Sequence, residues 1–442
     1  MGSFVYAARQ KRNEMKHLLM IVPFFPPVSG GGVFRPLSFV KYLGRHNWRT
    51  TVIAPKENAF WVVDRSLLQE VPDSCRVIRT GSLSGQAVLS ALRRSGPGRG
   101  GAQVRSSRGF GWLRKLGNAV LIPDTYVGWY PFAVRAAKRA LAGARFDAIY
   151  STSPPETSHI IGLKLHKISG LPWVADFRDP WINLYRFAPP TALHRSIYER
   201  LQAAICNRAG IVVASKWNYD FLKKKHPGIQ HITYISNGYD QAELEGLFSL
   251  SPPHDNFTIM HAGMLSEKRS AKPFIEAVKI FCDRYPQGRG KCRVLFLGPR
   301  EDENEAAVRE LALGDVVEFR DSVSHRETLI LERTSHILML INPYPQIVVG
   351  KLYEYIGVLR PILALLPDGE GRDLVRTLSR GETAPMNDPQ RIAAKIAVMY
   401  EKFESGILDS SYDLTPLPRF DREHLAGEMA EFLDRLVEST KR

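Results

Sequence analysis

Short apolar runs alternate with helical patterns along this chain. Between residues 17 and 235 the runs at 18–22, 51–54, 148–151, 173–177 and 211–214 have the length and composition of buried strands. Strands covered by helices on both faces read as continuous apolar runs, so the alternation predicts a parallel sheet wrapped by helices. One strand–helix unit is explicit: Leu193, Ile197, Leu201 and Ile205 repeat at helical spacing, and Asn207-Arg208-Ala209-Gly210 supplies a helix stop. The segment Ile235-Ser236-Asn237-Gly238-Tyr239-Asp240 reads as a turn, after which the series restarts at 257–261, 293–298, 316–319, 336–341 and 361–366. That restart predicts a second domain of the same α/β class. Beyond a Pro-rich, extended tail at 412–419, Leu425, Met429, Phe432, Leu433 and Leu436 form one helical stripe that needs a surface to cover, and this helix is expected to pack back across the domains. No repeat of solenoid period is present.

Composition supports two domains. At 442 residues the chain exceeds what one core usually fills, and 44% hydrophobic with 24% charged residues is ordinary for a soluble globular protein. Two domains of this size imply a cleft between them. Cys75, Cys206, Cys282 and Cys292 form no CxxC or CxxH pairing, which argues against a zinc cluster or disulfide framework and for a reducing, cytoplasmic setting. No apolar run reaches the length of a membrane span and residues 1–16 lack the apolar stretch of a signal peptide, so the chain is expected to be soluble and not exported.

Charge changes the picture more. A net charge of +15 calls for an anionic partner: a nucleotide, a phospholipid surface or a nucleic acid. Much of the excess lies in Arg93, Arg94, Arg99, Arg105, Arg108, Arg114 and Lys115, within a Gly/Ser/Pro-rich stretch that has no acidic residue. Such a run is ordinarily a solvated loop. Its sequel Phe110-Gly111-Trp112-Leu113-Arg114-Lys115-Leu116 mixes aromatic and basic residues in a way that suits an anionic membrane face. Residues 93–116 are therefore a candidate contact for a protein peripheral on the inner face of the plasma membrane. Nucleic acid is not expected, because no nucleic-acid-binding motif accompanies the basic run.

The candidate chemistry lies where strands end. The stretch from Gly350 to Ala364 reads as a loop, a short helix opening on Lys351 and Glu354, and a strand started by Pro361. A helix N-terminus offers unpaired N–H groups and partial positive charge to a phosphate, and Lys351 adds a full charge. Glu354, a turn later, can accept the hydroxyls of a ribose; alternatively both are solvated helix residues. The first strand runs into Pro23-Phe24-Phe25-Pro26-Pro27-Val28-Ser29-Gly30-Gly31-Gly32-Val33-Phe34-Arg35. Its glycines either open the backbone to a phosphate or sugar or form a tight turn, and their spacing fits neither the dinucleotide GxGxxG nor the GxxxxGK[ST] loop. Ser151-Thr152-Ser153-Pro154-Pro155-Glu156-Thr157-Ser158-His159 follows another strand, and His159 is placed to donate to a ligand or to cap and pack a loop. Pro172-Trp173-Val174-Ala175-Asp176-Phe177-Arg178-Asp179-Pro180-Trp181 sets two carboxylates and an Arg just past a buried strand, where charge is costly unless it pairs internally or meets a ligand. In His261-Ala262-Gly263-Met264-Leu265-Ser266-Glu267-Lys268-Arg269, Gly263 admits close backbone approach while Lys268 and Arg269 can neutralise a departing diphosphate, unless the loop is simply solvated.

In their order and spacing these motifs resemble the retaining GT-B glycosyltransferases of glycosyltransferase family 4, in particular bacterial members with a PP…GGG…R opening, STSPP and PWVADFRDPW. The resemblance runs from His17 to the closing helix and takes in Pro123-Asp124 with Trp129 and Ser236-Asn237-Gly238-Tyr239-Asp240. It implies the GT-B architecture: two Rossmann-like doubly wound domains facing a cleft, with the C-terminal helix crossing back. Residues 17–235 would bind the acceptor, 236–411 the nucleotide sugar, and 412–442 would form the crossing tail and helix. The implied reaction moves a hexose or deoxyhexose, with retention, from a nucleoside diphosphate sugar to a hydroxyl of a glycan or lipid-linked acceptor in cell-surface polysaccharide synthesis. No cofactor and no metal are implied, since basic side chains and helix N-termini replace a metal at the leaving diphosphate.

Residue by residue, the resemblance implies that Gly31 and Gly32 face the donor, with Arg35 nearby. Gly263, Lys268, Arg269 and Lys351 would serve the diphosphate and Glu354 the ribose, while His159, Asp176, Arg178 and Asp179 would be the catalytic group. Three positions depart from the family pattern: Gln346 stands for the first Glu of the spaced Glu pair, Met264 for an Arg after the loop glycine, and Arg178 for a catalytic His. The first two departures leave room for a second reading, a non-catalytic sugar-nucleotide-binding scaffold subunit of the same fold.

Overall fold

The computed structural model describes residues 15–57, 62–83, 121–181, 189, 191–266 and 268–440, so the basic segment 93–116 lies outside the described residues. The chain divides into two compact units, Met1–Ser236 with Leu425–Arg442, and Asn237–His424.

In the first unit seven parallel strands lie in the order β3-β2-β1-β4-β5-β6-β7. They are β1 (Lys16–Ile21), β2 (Trp48–Pro55), β3 (Arg76–Thr80), β4 (Ala148–Ser153), β5 (Trp173–Phe177), β6 (Gly210–Val213) and β7 (Ile232–Tyr234). The helices are α1 (Phe34–Tyr42), α2 (Tyr130–Gly143), α3 (Thr157–Ser169), α4 (Ala192–Cys206) and α5 (Lys216–Lys225). Register sets Leu19 beside Thr51 and Ile149, and the two-residue period of a strand then sorts the side chains into two cores. Leu19, Ile21, Ile149 and Ala175 pack with Ala137 of α2, Ile161 of α3 and Ile205 of α4. Leu18, Met20, Tyr150 and Val174 face the other way, onto Leu37 and Val40 of α1. Thr191 and Ser215 cap α4 and α5 by accepting from His194 N and Asn218 N.

The second unit repeats the plan with six parallel strands in the order β10-β9-β8-β11-β12-β13. They are β8 (Phe257–Ala262), β9 (Cys292–Leu297), β10 (Val317–Arg320), β11 (Ile337–Ile341), β12 (Ile362–Leu365) and β13 (Gly381–Ala384). Around them lie α6 (Lys272–Arg284), α7 (Asp302–Glu310), α8 (His325–Arg333), α9 (Gly350–Val358), α10 (Glu370–Thr377) and α11 (Pro389–Glu404). Ile259, Val294 and Met339 pack on α6 and α11, while Met260, Leu295 and Leu340 pack on Leu352 and Ile356 of α9.

The closing helix α12 (Arg422–Thr440) begins in the second unit and belongs to the first from Leu425 onward. There the stripe Leu425, Met429, Phe432, Leu433 and Leu436 joins the core around Leu18 and Met20. Asp434 of this helix accepts from Lys16 Nζ at 2.6 Å and from Trp48 Nε1 at 2.8 Å. Each run expected to be a strand is one, and the expected helix at 193–205 is α4. Strands β3, β7 and β13 were not expected.

Strand order reverses between β1 and β4 and again between β8 and β11. Open α/β sheets receive ligands outside the carboxyl ends of the strands at such points. Among the described residues no helix is long and apolar enough to cross a membrane, and no three His, Cys, Asp or Glu side chains group to hold a metal ion.

Candidate functional site

In the first unit β1 delivers the chain to the reversal point and into the glycine loop. Val33 N closes a turn onto Gly30 O at 2.9 Å, Gly31 is exposed, and α1 starts at Phe34. A Cβ on Gly32 would lie 2.7 Å from Arg178 Nη1, so the absence of a side chain here makes room for that guanidinium. Arg178 is anchored from the other side, donating from Nε to Ser153 O at 3.1 Å and from Nη2 to Pro154 O at 2.5 Å. Gly32 and Arg178 are thus brought together from distant parts of the unit's sequence.

Arg35 and Asp176 also meet. Arg35 donates from Nε to Asp176 Oδ2 at 2.9 Å and from Nη2 to Oδ1 at 2.9 Å, and from Nη1 to Ser236 O at 2.7 Å. Tyr150 Oη and Thr152 Oγ1 donate to Oδ2 at 2.6 and 3.2 Å. Burial works against ionisation of Asp176, but the charge and hydrogen bonds of Arg35, with Tyr150, outweigh it and hold the carboxyl below its ordinary range. Asp176 is wholly buried, so this carboxylate is turned into the protein and fixes Arg35.

His159 lies in the first turn of α3 and is likewise wholly buried. Ser151 Oγ accepts from Trp173 Nε1 at 2.8 Å and stands 2.8 Å from His159 Nδ1. A Ser151 hydroxyl that donates to Nδ1 leaves the ring proton on Nε2, which has no partner among the described residues. Burial pulls this imidazole down to about 3, so it is neutral near pH 7. Beside it Glu156 is pushed up to about 8, by burial and then by the neighbouring Asp124 carboxyl. Asp124 accepts from Thr157 N and Oγ1, both at 2.8 Å, and from Tyr126 N at 2.7 Å. Asp179 is close enough for its charge to act on both Glu156 and Arg178.

In the second unit β8 ends at Ala262, and Gly263, with φ at +154°, donates its N–H to Leu297 O at 2.9 Å. The loop doubles back where Arg269 N meets Ser266 O at 2.7 Å. Arg269 then reaches Asn342 Oδ1 at 3.4 Å, linking the loop after β8 to the end of β11 across the reversal point. Lys268 is exposed on the same loop. His261 donates from Nδ1 to Met339 O at 2.9 Å, which leaves Nε2 as an acceptor beside Gly263 with no partner among the described residues. Burial, assisted by the charges of Arg269 and Lys351 and opposed by the bond to Met339, brings this ring down to about 4.

Helix α9 is tied to β8 through Ala262 N, which donates to Tyr355 Oη at 3.2 Å. Lys351 Nζ donates to Glu332 Oε1 of α8 at 3.1 Å and to Glu354. Burial opposes the charge on Glu354, yet Lys351, then His325, outweigh it and hold this carboxyl down at about 2. Glu332 behaves oppositely: wholly buried and next to that negative charge, its carboxyl is pushed well up from its ordinary range. Lys351 stays fully charged between the two.

No protein-family model matches the chain, and no curated protein sequence matches it. Solved structures do. Sucrose-phosphate synthase from Thermosynechococcus elongatus is similar at a TM-score of 0.63 and 16% identity, over 96% of this chain and 100% of that one. HepE of Anabaena, in complex with UDP and glucose, gives 0.65 at 16% identity, over 95% of this chain and 100% of that one. A glycosyltransferase from Rickettsia africae gives 0.62 at 14% identity, over 96% and 99%. These matches span both sheets and nearly the full length of each chain. The fold is GT-B.

Within this GT-B frame the candidate residues gather in two groups, one at the reversal point of each sheet. The first holds Gly31, Gly32, Arg35, His159, Asp176, Arg178 and Asp179, and the second Gly263, Lys268, Arg269, Lys351 and Glu354. Sequence reasoning missed Glu332, Asn342, Glu156 and Tyr150. Asn342 had a usable signal, because it directly follows an apolar run; Glu332 had none, sitting in Leu329-Ile330-Leu331-Glu332-Arg333 like any solvated helix residue.

Proposed function

We propose that this chain is a retaining glycosyltransferase of family 4 that transfers a sugar from a nucleoside diphosphate sugar to a hydroxyl of a glycan or lipid-linked acceptor. The observation that carries this reading is the second group: Gly263, Arg269 and the Lys351-bearing N-terminus of α9 converge at the carboxyl ends of β8 and β11 in a GT-B fold. HepE, of the same fold, has been solved with UDP and with UDP-glucose, which supports a nucleotide-sugar donor.

In this reading the leaving diphosphate gains charge as the glycosidic bond breaks. Arg269, Lys351 and the first N–H groups of α9 stabilise that charge without a metal, and exposed Lys268 adds attraction at longer range. Glu354, kept ionised by Lys351, accepts the ribose hydroxyls, and buried Glu332, which accepts from Lys351 Nζ, holds that side chain in place. In the first unit Gly31, Gly32, Arg178 and Asp179 contact the reacting sugar or acceptor. Arg35, Asp176 and His159 are positioning residues, since the first two close on each other and the third is buried in the first turn of α3 against Ser151. The acceptor is proposed to lie at the inner face of the membrane, on the strength of the basic segment around Trp112.

A second reading, the scaffold subunit, draws on Gln346 and on Met264, which is 58% exposed where many family members place Arg. A thermal-shift panel of UDP, GDP, dTDP, ADP and CMP with their sugar conjugates, run on wild type and Arg269→Ala and followed by acceptor assays, separates the readings. One nucleotide should raise the melting temperature, and Arg269→Ala should weaken its binding by about 10- to 100-fold, the worth of a charge-assisted hydrogen bond. Binding with no transfer to any acceptor would favour the scaffold. Nucleotide affinity and turnover untouched in Arg269→Ala would sink the site assignment.

A further inference from the structure

A cavity of about 430 Å³ opens between β3 and α2, on the edge of the first sheet. Two periodicities build it. Along α2, Phe132, Arg135, Ala136, Arg139, Ala140 and Gly143 are spaced as one helical face, and on β3 alternate residues Arg76, Ile78 and Thr80 face them. Ile78, Phe132, Ala136 and Ala140 give the cavity an apolar floor, with Phe132 36% exposed, and Arg76, Arg135 and Arg139 are exposed around it.

Among the described residues, no Asp or Glu lines the cavity. Between Asp73 and Asp147 the sequence holds a single acidic residue, Asp124, which is buried and already bonded to Thr157 and Tyr126. Like charges four apart on a helix repel, so Arg135 and Arg139 together disfavour α2 unless an anion joins them. Arg79 belongs to the wall: it donates to Pro55 O at 3.3 Å and to Pro26 O, and burial lowers its affinity for its proton. Thr80 is also engaged, accepting from Trp129 Nε1 at 2.8 Å. The volume is that of a small-molecule site, and its chemistry is a trio of guanidiniums above an apolar floor.

We propose that this cavity binds a phosphate ester borne on an apolar chain, with the phosphate among Arg76, Arg135 and Arg139 and the chain against Phe132, Ala136 and Ile78. The ligand can come from a membrane phospholipid or from a polyprenyl phosphate, which share this chemistry. A nucleic acid fits less well, because the arginines ring one cavity instead of following a track.

Calorimetric titration of the full chain tests it. The probes are dihexanoyl phosphatidic acid and geranyl phosphate, both below their micelle concentrations, with inorganic phosphate and dihexanoyl phosphatidylcholine as comparisons. At least one of the first two should bind 10-fold or more tighter than either comparison, and which of them binds names the source. Arg135→Glu with Arg139→Glu should abolish that binding. Arg135→Lys with Arg139→Lys should weaken it about 3- to 10-fold, since a point charge cannot make the bidentate contact. Arg195→Glu on α4 is the control and should change nothing. All these residues are exposed on helices, and an unchanged melting temperature confirms that the variants fold. Inorganic phosphate binding as tightly as both amphiphiles, or the charge-reversed protein binding like wild type, would overturn the proposal.

Discussion

Burying Asp176 removes a full charge from water, a cost offset only because Arg35 meets it through two N–H groups while Tyr150 and Thr152 fill further lone pairs. Asp176→Ala strands the Arg35 charge in the core, and unfolding in urea should show a loss of about 3–5 kcal/mol. The apolar pair Asp176→Leu with Arg35→Met should recover most of it. A single Ala variant as stable as wild type would remove the pair from the architecture. Two other carboxyls respond to pH with opposite sign. Glu354 sits at about 2 against an ordinary 4.5, so its contribution to stability is complete above pH 4.5 and is lost as pH falls toward 2. Lys351→Met takes away the main cation, and the urea midpoint should then fall less steeply below pH 4.5 than in wild type. Glu156 is raised from 4.5 to about 8, so its contribution is complete below pH 4.5 and declines as pH rises to 8. Glu156→Gln carries no such titration. Its melting temperature at pH 8, relative to pH 5, should exceed that of wild type by several degrees, at ~2–4 °C per kcal/mol for a unit of this size. Parallel profiles in either comparison would place the titrating group elsewhere.

At the scale of elements, what the sequence disclosed follows burial. The strands read correctly are mostly central ones, covered on both faces and therefore uniformly apolar. The three that escaped, β3, β7 and β13, are all edges, and Arg76-Val77-Ile78-Arg79-Thr80 and Gly381-Glu382-Thr383-Ala384 lack the continuous apolar run by which a central strand declares itself. The candidate site divides the same way. Gly32, Arg178 and Lys351 stand in motifs next to strand ends and could be named in advance. Partners such as Glu332 and Ser236 reach the site from remote positions and need the fold to be seen. Helix α9 shows how tightly an element is seated: a Cβ on Gly357 would lie 2.3 Å from Tyr239 Cγ, whereas one on Gly350 meets nothing within 4 Å. Gly357→Ala must displace α9, which carries Lys351 and Glu354. Its expected cost is ~1–3 kcal/mol, accompanied by weaker nucleotide binding. Gly350→Ala should stay within ~1 kcal/mol of wild type. Equal stability of the two variants, read by urea unfolding, would show that the contact between α9 and Tyr239 yields freely.

The whole molecule is organised by its last helix. The chain leaves the first unit at Ser236, completes the second as one continuous stretch, and re-enters the first at Leu425. The core around Leu18 and Met20 therefore stays open until Leu425, Met429 and Leu433 arrive, and the apolar stripe that marked α12 in the sequence announced the need for a surface without saying which. Closing so long a loop adds little entropy beyond that of a shorter one, so burial of the stripe suffices to bring the helix home. Each unit has its own cores, and each should unfold in its own calorimetric transition. Leu433 is wholly buried, and Leu433→Ala should cost ~2–5 kcal/mol, lowering the transition of the first unit alone. A nucleotide held by Arg269 and Lys351 should raise the other transition alone. Calorimetry of wild type and variant, each with and without nucleotide, gives four traces in which the two perturbations act independently. If both moved one shared transition, the units would be a single cooperative block, and α12 would stabilise the nucleotide site as much as the sheet it covers.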